Sequence, residues 1–462
     1  MIEELGPYPA YKDSGLPGLG ELPAHWRAPR LKTVFREIDR RSGTGTQPLL
    51  SLKMREGLVD YHEAGGKPIA AADLTHYKVA EPGELVMNRM RAASGLFGLP
   101  PKVGLVSPDY AVLRPRKTVN LRYFLDLFRS TAMTSIFRLE SHGLGTGESG
   151  FLRLYTEQFG MIHAPLPPSD EQASIVRFLD YADRCVGRYI AAKKRLIALL
   201  AEQKQATLNR AVTRGVNPDV RLKPSGVEWL GEIPAHWTVS RVKSEFECLD
   251  RRRVPLNGPE RGAMTRREYD YYGASGVIDR VESFLFDDDL LLIAEDGANL
   301  VLRHLPLAIV AHGRFWVNNH AHILRPKRGN LDYLAALMET LNYKPWISGA
   351  AQPKLTQDRL MSIAIAVPFR DEQDQIMASI KDETASLRLA IDHARREIDF
   401  VREFRTRLIA DVVTGKADVR EAAAGLPAEI EEAELVDDID SIEDIEFETD
   451  AGLGPETEEV GV

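Results

Sequence analysis

Two long proline-free segments of the chain carry apolar residues at alternating steps of four and three. This spacing is a heptad pattern, which predicts α-helices that pack along one face. Helices of roughly forty residues are about 60 Å long, and neither could bury its apolar stripe alone. We therefore predict that the two helices pair with each other. The positions in phase are Ile175, Leu179, Ala182, Val186, Tyr189, Lys193, Leu196, Leu200 and Gln203 in the first segment, and Ile376, Ile380, Glu383, Leu387, Ala390, Ala394, Glu397, Val401 and Phe404 in the second.

Both segments begin with the same local signal, a proline followed by Asp-Glu-Gln. The triplet occupies 170–172 in the first segment and 371–373 in the second, an offset of 201. Proline is tolerated where a helix begins, and acidic residues are favourable at the positive end of the helix dipole. We predict long spacer helices over 166–215 and 367–416.

A second repeat precedes each of these units. The phrase GELPAHW ends at Trp26 and GEIPAHW ends at Trp237, an offset of 211 that also holds for the residues around both phrases. The Pro-Ala-His-Trp part of each phrase itself has no acid or nucleophile partner in sequence that would complete a catalytic group. We expect both tryptophans to be packing anchors of two equivalent arms, 1–41 and 216–252.

The segments between arms and helices, 42–165 and 253–366, mix short apolar runs with Gly, Pro and Asp, which predicts strands joined by turns. The sequences at 106–115 and 317–326 still correspond faintly at the offset of 211. The predicted fold class is therefore α+β. Two globular domains are separated by two long antiparallel coiled-coil helices, with an internal pseudo-twofold repeat.

Charge and cysteine content narrow the class of protein. The chain has a net charge of −9, but sixteen of its acidic residues and none of its Lys or Arg lie from Glu421 onward, so the rest carries +7. We expect the tail, 417–462, to be disordered, and the mildly basic body is compatible with a polyanionic partner. Two distant cysteines and the lack of a signal peptide or an apolar span favour a cytoplasmic location.

The doubled G-E-[IL]-P-x-H-W phrase, the doubled P-x-x-x-E-Q helix start and the segment NNHAHILRP together resemble the DNA-specificity subunit of type I restriction-modification systems. The resemblance covers about residues 5–415. It implies that 42–165 and 253–366 are target-recognition domains, each recognising one half of a bipartite, asymmetric site in double-stranded DNA. It also implies that the chain docks two copies of a modification methyltransferase subunit and a restriction/translocase subunit. S-adenosylmethionine would bind the modification subunit, ATP and Mg would bind the restriction subunit, and this chain would hold no cofactor, metal or catalytic residue.

Two sets of residues follow from these expectations. Arginines, lysines, tyrosines and a histidine in the two recognition domains could contact bases or phosphates, while apolar residues of arms and helices would serve packing or subunit docking. The DNA-binding set is Arg89, Arg91, Lys102, Tyr110, Tyr271, Tyr272, Arg303, Arg314, His320 and Lys354, and the docking and packing set is Trp26, Trp237, Leu179, Val186, Leu387 and Val401.

Other functions have weaker support in the sequence. SPDY at 107–110 has Asp where an adenine methyltransferase would need a second proline to hold a flipped base. The acids at 287–289 favour a solvated turn before a strand over a nuclease metal site. His320 and His322 could share one face of a strand and bind a metal, yet a hydrogen-bonding role is favoured. The glycine-rich stretch 143–150 lacks the lysine of a nucleotide-binding loop. A non-catalytic coiled-coil DNA-binding scaffold or regulator outside a restriction system stays open as an alternative.

Overall fold

The computed structural model describes residues 5–15, 19–54, 56–65, 69–144, 151–349 and 353–427. The chain forms two compact units. Unit 1 contains Met1–Lys194 and Arg396–Val462, and unit 2 contains Arg195–Arg395. No helix among the described residues is both long enough and apolar enough to cross a membrane.

Unit 1 begins with short strands and helices that lead into one long helix. Its strands are β1 (Tyr11–Asp13), β2 (Glu21–Pro23), β3 (Phe35–Ile38), β4 (Leu50–Lys53), β5 (Gly57–Asp60), β6 (Lys78–Ala80), β7 (Leu85–Asn88), β8 (Phe97–Gly98), β9 (Gly104–Val106), β10 (Tyr110–Pro115), β11 (His142–Leu144) and β12 (Phe151–Arg153). Its first helices are α1 (Leu31–Val34), α2 (Leu121–Arg129), α3 (Thr131–Glu140), α4 (Thr156–Met161) and the long α5 (Ser169–Arg214), whose last twenty residues belong to unit 2.

Unit 2 has a similar order of elements. Its strands are β13 (Leu222–Pro224), β14 (Glu232–Pro234), β15 (Thr238–Arg241), β16 (Phe246–Cys248), β17 (Tyr269–Gly273), β18 (Gly276–Val281), β19 (Phe286–Asp287), β20 (Leu290–Ala294), β21 (Ala308–Ala311), β22 (Arg314–Val317), β23 (Ala321–Pro326), β24 (Ile347–Ser348), β25 (Lys354–Leu355) and β26 (Ala364–Val367). Its helices are α6 (Val242–Glu245), α7 (Gly258–Gly262), α8 (Asn299–Leu302), α9 (Leu331–Thr340), α10 (Gln357–Ser362) and α11 (Arg370–Glu383). The helix α12 (Ala385–Val413) begins in unit 2 and ends in unit 1, and α13 (Arg420–Ala424) belongs to unit 1.

The central sheets of the two units are equivalent. Unit 1 has a four-stranded antiparallel sheet of order β3-β10-β7-β8, and unit 2 has β16-β23-β20-β21. Phe35 pairs with Pro115 in the first sheet and Phe246 pairs with Pro326 in the second, so both partners are displaced by 211. The faint sequence correspondence therefore marks strands with the same register. Unit 2 adds a second sheet, β18-β17-β22-β19.

The long helices are antiparallel within each unit. In unit 1, Asp183 and Lys193 of α5 form ion pairs with Arg405 and Glu397 of α12, so residue numbers rise on one helix and fall on the other. Leu179 and Val186 are buried on this seam, as their spacing predicts. Leu387 and Val401, from the second predicted stripe, are only half-buried.

The second stripe differs because the predicted helix over 367–416 is interrupted at Thr384, between α11 and α12. The Thr384 hydroxyl donates to the Ile380 carbonyl at 2.7 Å, a back-bond that can bend a helix. Two successive steps of four, from Ile376 through Ile380 to Thr384, replace the expected four and three. Ala394 is buried as predicted, but Ile391 and Ile398 are buried in place of the predicted Ala390 and Glu397, one residue later. Leu408 and Val412 are buried further along α12.

The expectation of a disordered tail from residue 417 is wrong for its first residues. Val419 and Ala423 are buried in the main core of unit 1, where Val419 is the N-cap residue of α13 and Ala423 lies within α13. The backbone N–H of Asp418 donates to the Gly6 carbonyl at 2.9 Å, which ties this segment to the N-terminal arm. Residues 428–462 lie outside the described residues, as do 145–150 of the glycine-rich stretch.

Candidate functional site

The histidine and tryptophan of each repeated phrase bind the glutamate of an Asp-Glu-Gln triplet. In unit 1, Trp26 Nε1 donates to Glu171 Oε1 at 3.0 Å, and His25 Nε2 lies 2.8 Å from Glu171 Oε2. In unit 2, Trp237 Nε1 donates to Oε1 of the second glutamate, Glu372, at 3.0 Å. The corresponding histidine lies 2.8 Å from its Oε2. We call these groups the first clamp (His25, Trp26, Glu171) and the second clamp (His236, Trp237, Glu372).

The sequence does not reveal these partners because 145 and 135 residues separate each tryptophan from its glutamate. One signal was available, however. Both motifs occur twice, in the same order and at nearly the same separation. The doubled order therefore indicates that each arm pairs with the helix start that follows it.

The glutamine next to each glutamate binds the globular domain. Gln172 Oε1 accepts from the backbone N–H of Asn120, and Gln373 Oε1 accepts from that of Asn330, both at 2.8 Å. These asparagines are the N-caps of α2 and α9. Each Asp-Glu-Gln triplet therefore joins an arm, a helix start and a globular domain within one unit.

A tyrosine in each globular domain binds the C-terminal end of a long helix, α12 in unit 1 and α5 in unit 2. The Tyr123 hydroxyl donates to the Val413 carbonyl at 3.1 Å, and the Tyr333 hydroxyl donates to the Val212 carbonyl at 3.0 Å. Both tyrosines are buried, and burial raises the pKa of each hydroxyl, so that it remains a donor. Each domain is thus fixed to the start of one helix and the end of the other.

The two clamps differ in one contact. The Tyr8 hydroxyl donates to Glu171 Oε1 at 2.6 Å, and the position 211 residues later is Asp219, which makes no such contact. The Glu171 side chain is 4% exposed, while that of Glu372 is 25% exposed. Burial and the Glu171 carboxylate raise the pKa of Tyr8. The first clamp is therefore the more buried of the two.

The sheet of each unit has two ends, one of which is remote from the helix starts. In unit 1, β3 and β7 end there and β10 begins there, and we call this the loop end. Arg89 donates to Glu37 Oε1 at 2.5 Å and to the Asp109 carbonyl at 3.1 Å. Arg91 is exposed beside Tyr110, whose pKa burial raises. The predicted residues Arg89, Arg91 and Tyr110 therefore lie together.

The loop end of unit 2 is formed by the equivalent strand ends. His320 is exposed there and lies 2.9 Å from Asp296, and Lys354 pairs with Glu295 at 3.1 Å. The strand bridge between Asp296 and Lys354 brings these residues to one place. His320 and Lys354, which belong to the predicted DNA-binding set, are thus neighbours at the position equivalent to Arg89 and Arg91.

His322 lies under this surface in a buried network. Its Nδ1 is 2.6 Å from Asp250 Oδ2, and its Nε2 is 2.8 Å from the Leu355 carbonyl. Burial raises the pKa of Asp250, but the hydrogen bond from His322 and the nearby Arg253 hold it below its usual value. Asp250, Glu295 and His322 are close enough to share a metal ion. However, Arg253 and Lys354 already pair with the carboxylates, so the donor set fits a hydrogen-bonded network.

Two residues of the predicted DNA-binding set have structural roles instead. Tyr271 is buried, and its hydroxyl binds the backbone of Leu256, at 3.1 Å from the N–H and 3.3 Å from the carbonyl. Arg303 adopts a left-handed backbone with φ of 54° and donates to the carbonyls of Glu339 and Leu341 at the end of α9. This guanidinium caps the helix, where a positive charge is favourable.

Of the other three predicted residues, Lys102 and Arg314 lie apart from the loop ends. Tyr272 borders the loop end of unit 2, because its carbonyl accepts from the Asn318 N–H at 2.9 Å. Lys102 pairs with Asp60 at 3.2 Å. Tyr272 is half-buried, with its ring edge-on to Phe315 in the core between the two sheets of unit 2. Arg314 is exposed but pairs with Asp287 at 2.9 Å.

Sequence reasoning missed one set of basic residues. Six of the seventeen residues in 251–267 are arginines, and the segment begins where β16 reaches the loop end of unit 2. The density of arginine was the available signal. The repeated arm already accounts for Arg251 and Arg252, which hides part of this density.

Part of the chain matches the model of a known protein family. Residues 235–392 match the type I restriction modification DNA specificity domain. A putative type I restriction enzyme specificity subunit of Haemophilus influenzae is 34% identical over 117 residues, which are 25% of this chain and 30% of that protein. The putative MjaX specificity subunit of Methanocaldococcus jannaschii is 21% identical over 425 residues, covering 87% of this chain and 96% of the relative.

Among solved structures, a chain described in work on complex assembly and conformational transition of the type I R-M system has a TM-score of 0.58. It is 15% identical, and the match covers 85% of this chain and 98% of that one. This likeness concerns the fold. Together with the family match and the curated relatives, it confirms the resemblance inferred from the doubled motifs.

Proposed function

We propose that this member of the type I restriction-modification specificity-subunit family recognises a bipartite DNA site through the loop ends of its two units. One observation carries the proposal. The His–Trp–Glu contacts of the clamps and the pairing of β3 with β10 and of β16 with β23 are the same in both units, whereas the loop ends carry unlike side chains. Equal parts suit two identical protein partners, and unlike parts suit two different half-sites.

The loop ends have the chemistry that DNA recognition requires. In unit 1, Arg91 and Tyr110 are accessible at the strand ends, and in unit 2 His320 and Lys354 are accessible. Arginine and lysine can bind guanine edges or phosphates, and each mismatched base pair costs about 1–3 kcal/mol of binding free energy. Two domains that each recognise a few base pairs therefore multiply their discrimination.

The equal parts support docking of two modification subunits and of a restriction subunit. S-adenosylmethionine would bind the modification subunit, and ATP and Mg would bind the restriction subunit. This chain would provide the target sequence and the distance between half-sites. Antiparallel long helices within each unit would set that distance as a rigid spacer.

The test is to co-express the full chain with its modification subunit and to map methylated adenines in the host DNA. The expected result is one split motif with a constant gap. A matched variant, Arg91→Ala, should relax or alter only one half of that motif, and Lys354→Ala should affect only the other half. Scattered methylation, or none, would overturn the proposal.

A further inference from the structure

The segment 251–267 of unit 2, which we call the arginine loop, is held in a defined conformation. Trp316 Nε1 donates to the Val254 carbonyl at 2.7 Å, and the buried Tyr271 hydroxyl binds the backbone of Leu256. Within the loop, Asn257 and Glu260 form a reciprocal capping box with both hydrogen bonds at 2.8 Å. A loop fixed in this way loses little conformational entropy when it binds a ligand.

Some of the arginines hold the loop together. Arg253 pairs with Glu295 and donates to the Ala321 carbonyl at 2.9 Å, which fixes the start of the loop to the loop end of the sheet. Arg261 and Arg267 share a single carboxylate, that of Asp279, at 2.9 and 2.7 Å. Arg253 also faces Asp250 at 3.6 Å, so its charge is balanced, whereas the charge of Arg261 and Arg267 is compensated only in part.

The remaining arginines face solvent. Arg251 makes no hydrogen bond or ion pair with any described residue, and the Arg252 guanidinium stacks on the Phe286 ring at 4.8 Å without a carboxylate partner among the described residues. Arg266 is 77% exposed, and its nearest carboxylate, Glu268, is 4.0 Å away. The loop therefore presents three accessible guanidinium groups and a surplus of positive charge.

We propose that Arg251, Arg252 and Arg266 bind backbone phosphates of the DNA half-site that unit 2 recognises. The inference rests on the proposed function and assigns to these residues the contacts that set the position of the duplex. A guanidinium matches the geometry of a phosphate and stays charged. Phosphate contacts fix orientation and add affinity without selecting sequence. The start of the loop adjoins the loop end beside His320, because Arg253 donates to the Asn319 and Ala321 carbonyls at 3.3 and 2.9 Å. His320 and Lys354 would contact the bases.

The test uses the full chain assembled with its modification subunit and two 30-base-pair duplexes, one with the methylated motif and one with that motif scrambled. The variant Arg251→Gln/Arg252→Gln/Arg266→Gln removes three charges. If three phosphate contacts are lost, the slope of log K against log[salt] falls by about 2.7, and affinity at 0.15 M salt falls on the order of 100-fold. The loss should be equal for both duplexes, and the methylated motif should not change.

A matched control removes three charges from arginines of unit 2 that already have carboxylate partners. Arg280 pairs with Asp270 at 3.0 Å, Arg325 with Asp288 at 2.6 Å, and Arg328 with Glu245 at 2.8 Å. Replacing these three arginines by Gln should change the salt slope by less than about one.

Three results would overturn the inference: an unchanged slope in the loop variant, an equal change in the control, or an altered methylation motif. Failure of the proposed function would be seen differently. The unmodified assembly would then bind both duplexes equally and methylate no split motif, while the salt slopes of the variants could still be compared.

Discussion

The two clamps allow a matched test of how much one buried carboxylate stabilises each arm. Glu171→Ala removes the acceptor for two buried donors, Trp26 Nε1 and the Tyr8 hydroxyl. A buried donor left without a partner costs about 1–3 kcal/mol, so the free energy of local opening should fall by about 2–6 kcal/mol. His25 is exposed enough to bind water instead, and adds little.

Glu372→Ala should cost less. It strands only one buried donor, Trp237 Nε1, because the position equivalent to Tyr8 is Asp219. We expect a loss of about 1–3 kcal/mol. The glutamine variants, Glu171→Gln and Glu372→Gln, keep an acceptor oxygen with two lone pairs and should recover much of the loss.

Hydrogen exchange measured by mass spectrometry gives the readout, because it reports opening of each arm separately. Peptides covering 19–31 report the first clamp, and peptides covering 230–242 report the second. Faster exchange in 19–31 of Glu171→Ala than in 230–242 of Glu372→Ala is the expected order. If both variants lose equal protection, or if the glutamine variants behave like the alanine variants, the account of the clamp by stranded donors is refuted.

Three further predictions concern stability. Gly415→Ala should lower the melting temperature more than Gly215→Ala: both glycines have positive φ, of 80° and 76°, but only at Gly415 would a Cβ lie 2.5 Å from a ring atom of Pro23. Burial raises the pKa of Asp126 from 3.8 to about 6, so the folded state binds a proton that the unfolded state releases. Stability should therefore fall as pH rises from about 4 to about 6, and Asp126→Asn should remove this fall, worth roughly 1–3 kcal/mol, in urea titrations at several pH values. His322→Ala leaves two buried acceptors without its donors and should cost about 2–4 kcal/mol, while added Zn²⁺ should leave the melting temperature of the unmodified protein unchanged, since a rise would indicate a metal site.

Periodicity was sufficient for the parts of the fold that depend on local sequence. The first stripe is buried from Ile175 to Val186, but its later positions Tyr189 and Leu196 are exposed. The second stripe loses its predicted phase after Ile380, because the extra residue at Thr384 shifts it without any glycine or proline to mark the shift, although Ala394 is buried as predicted. Phe404 is apolar and fits the predicted stripe, yet it is exposed. Residue type alone does not separate such a residue from a buried one.

The candidate site was harder to predict, because the role of a polar side chain depends on what lies opposite to it in the fold. Arg303 and Arg91 are the same residue type in similar loops. One caps the end of α9 and the other is exposed at a loop end. Tyr271 stands in a tyrosine-rich strand, yet its ring is buried under the arginine loop. Whether such a side chain is exposed or serves the fold is decided by the elements that the fold places against it.

Whether the tryptophan of the repeated phrase contacts a partner subunit can be argued from its burial. Trp26 and Trp237 have no exposed surface, and their only polar atom is bound to a glutamate. A partner could therefore touch only the rim of each clamp, where His25 and His236 are exposed. Trp237→Ala should weaken partner binding by loosening the second arm, and Glu372→Ala, which leaves the tryptophan ring intact, should cause the same loss. If a partner binds the ring directly, Trp237→Ala should weaken partner binding more than Glu372→Ala.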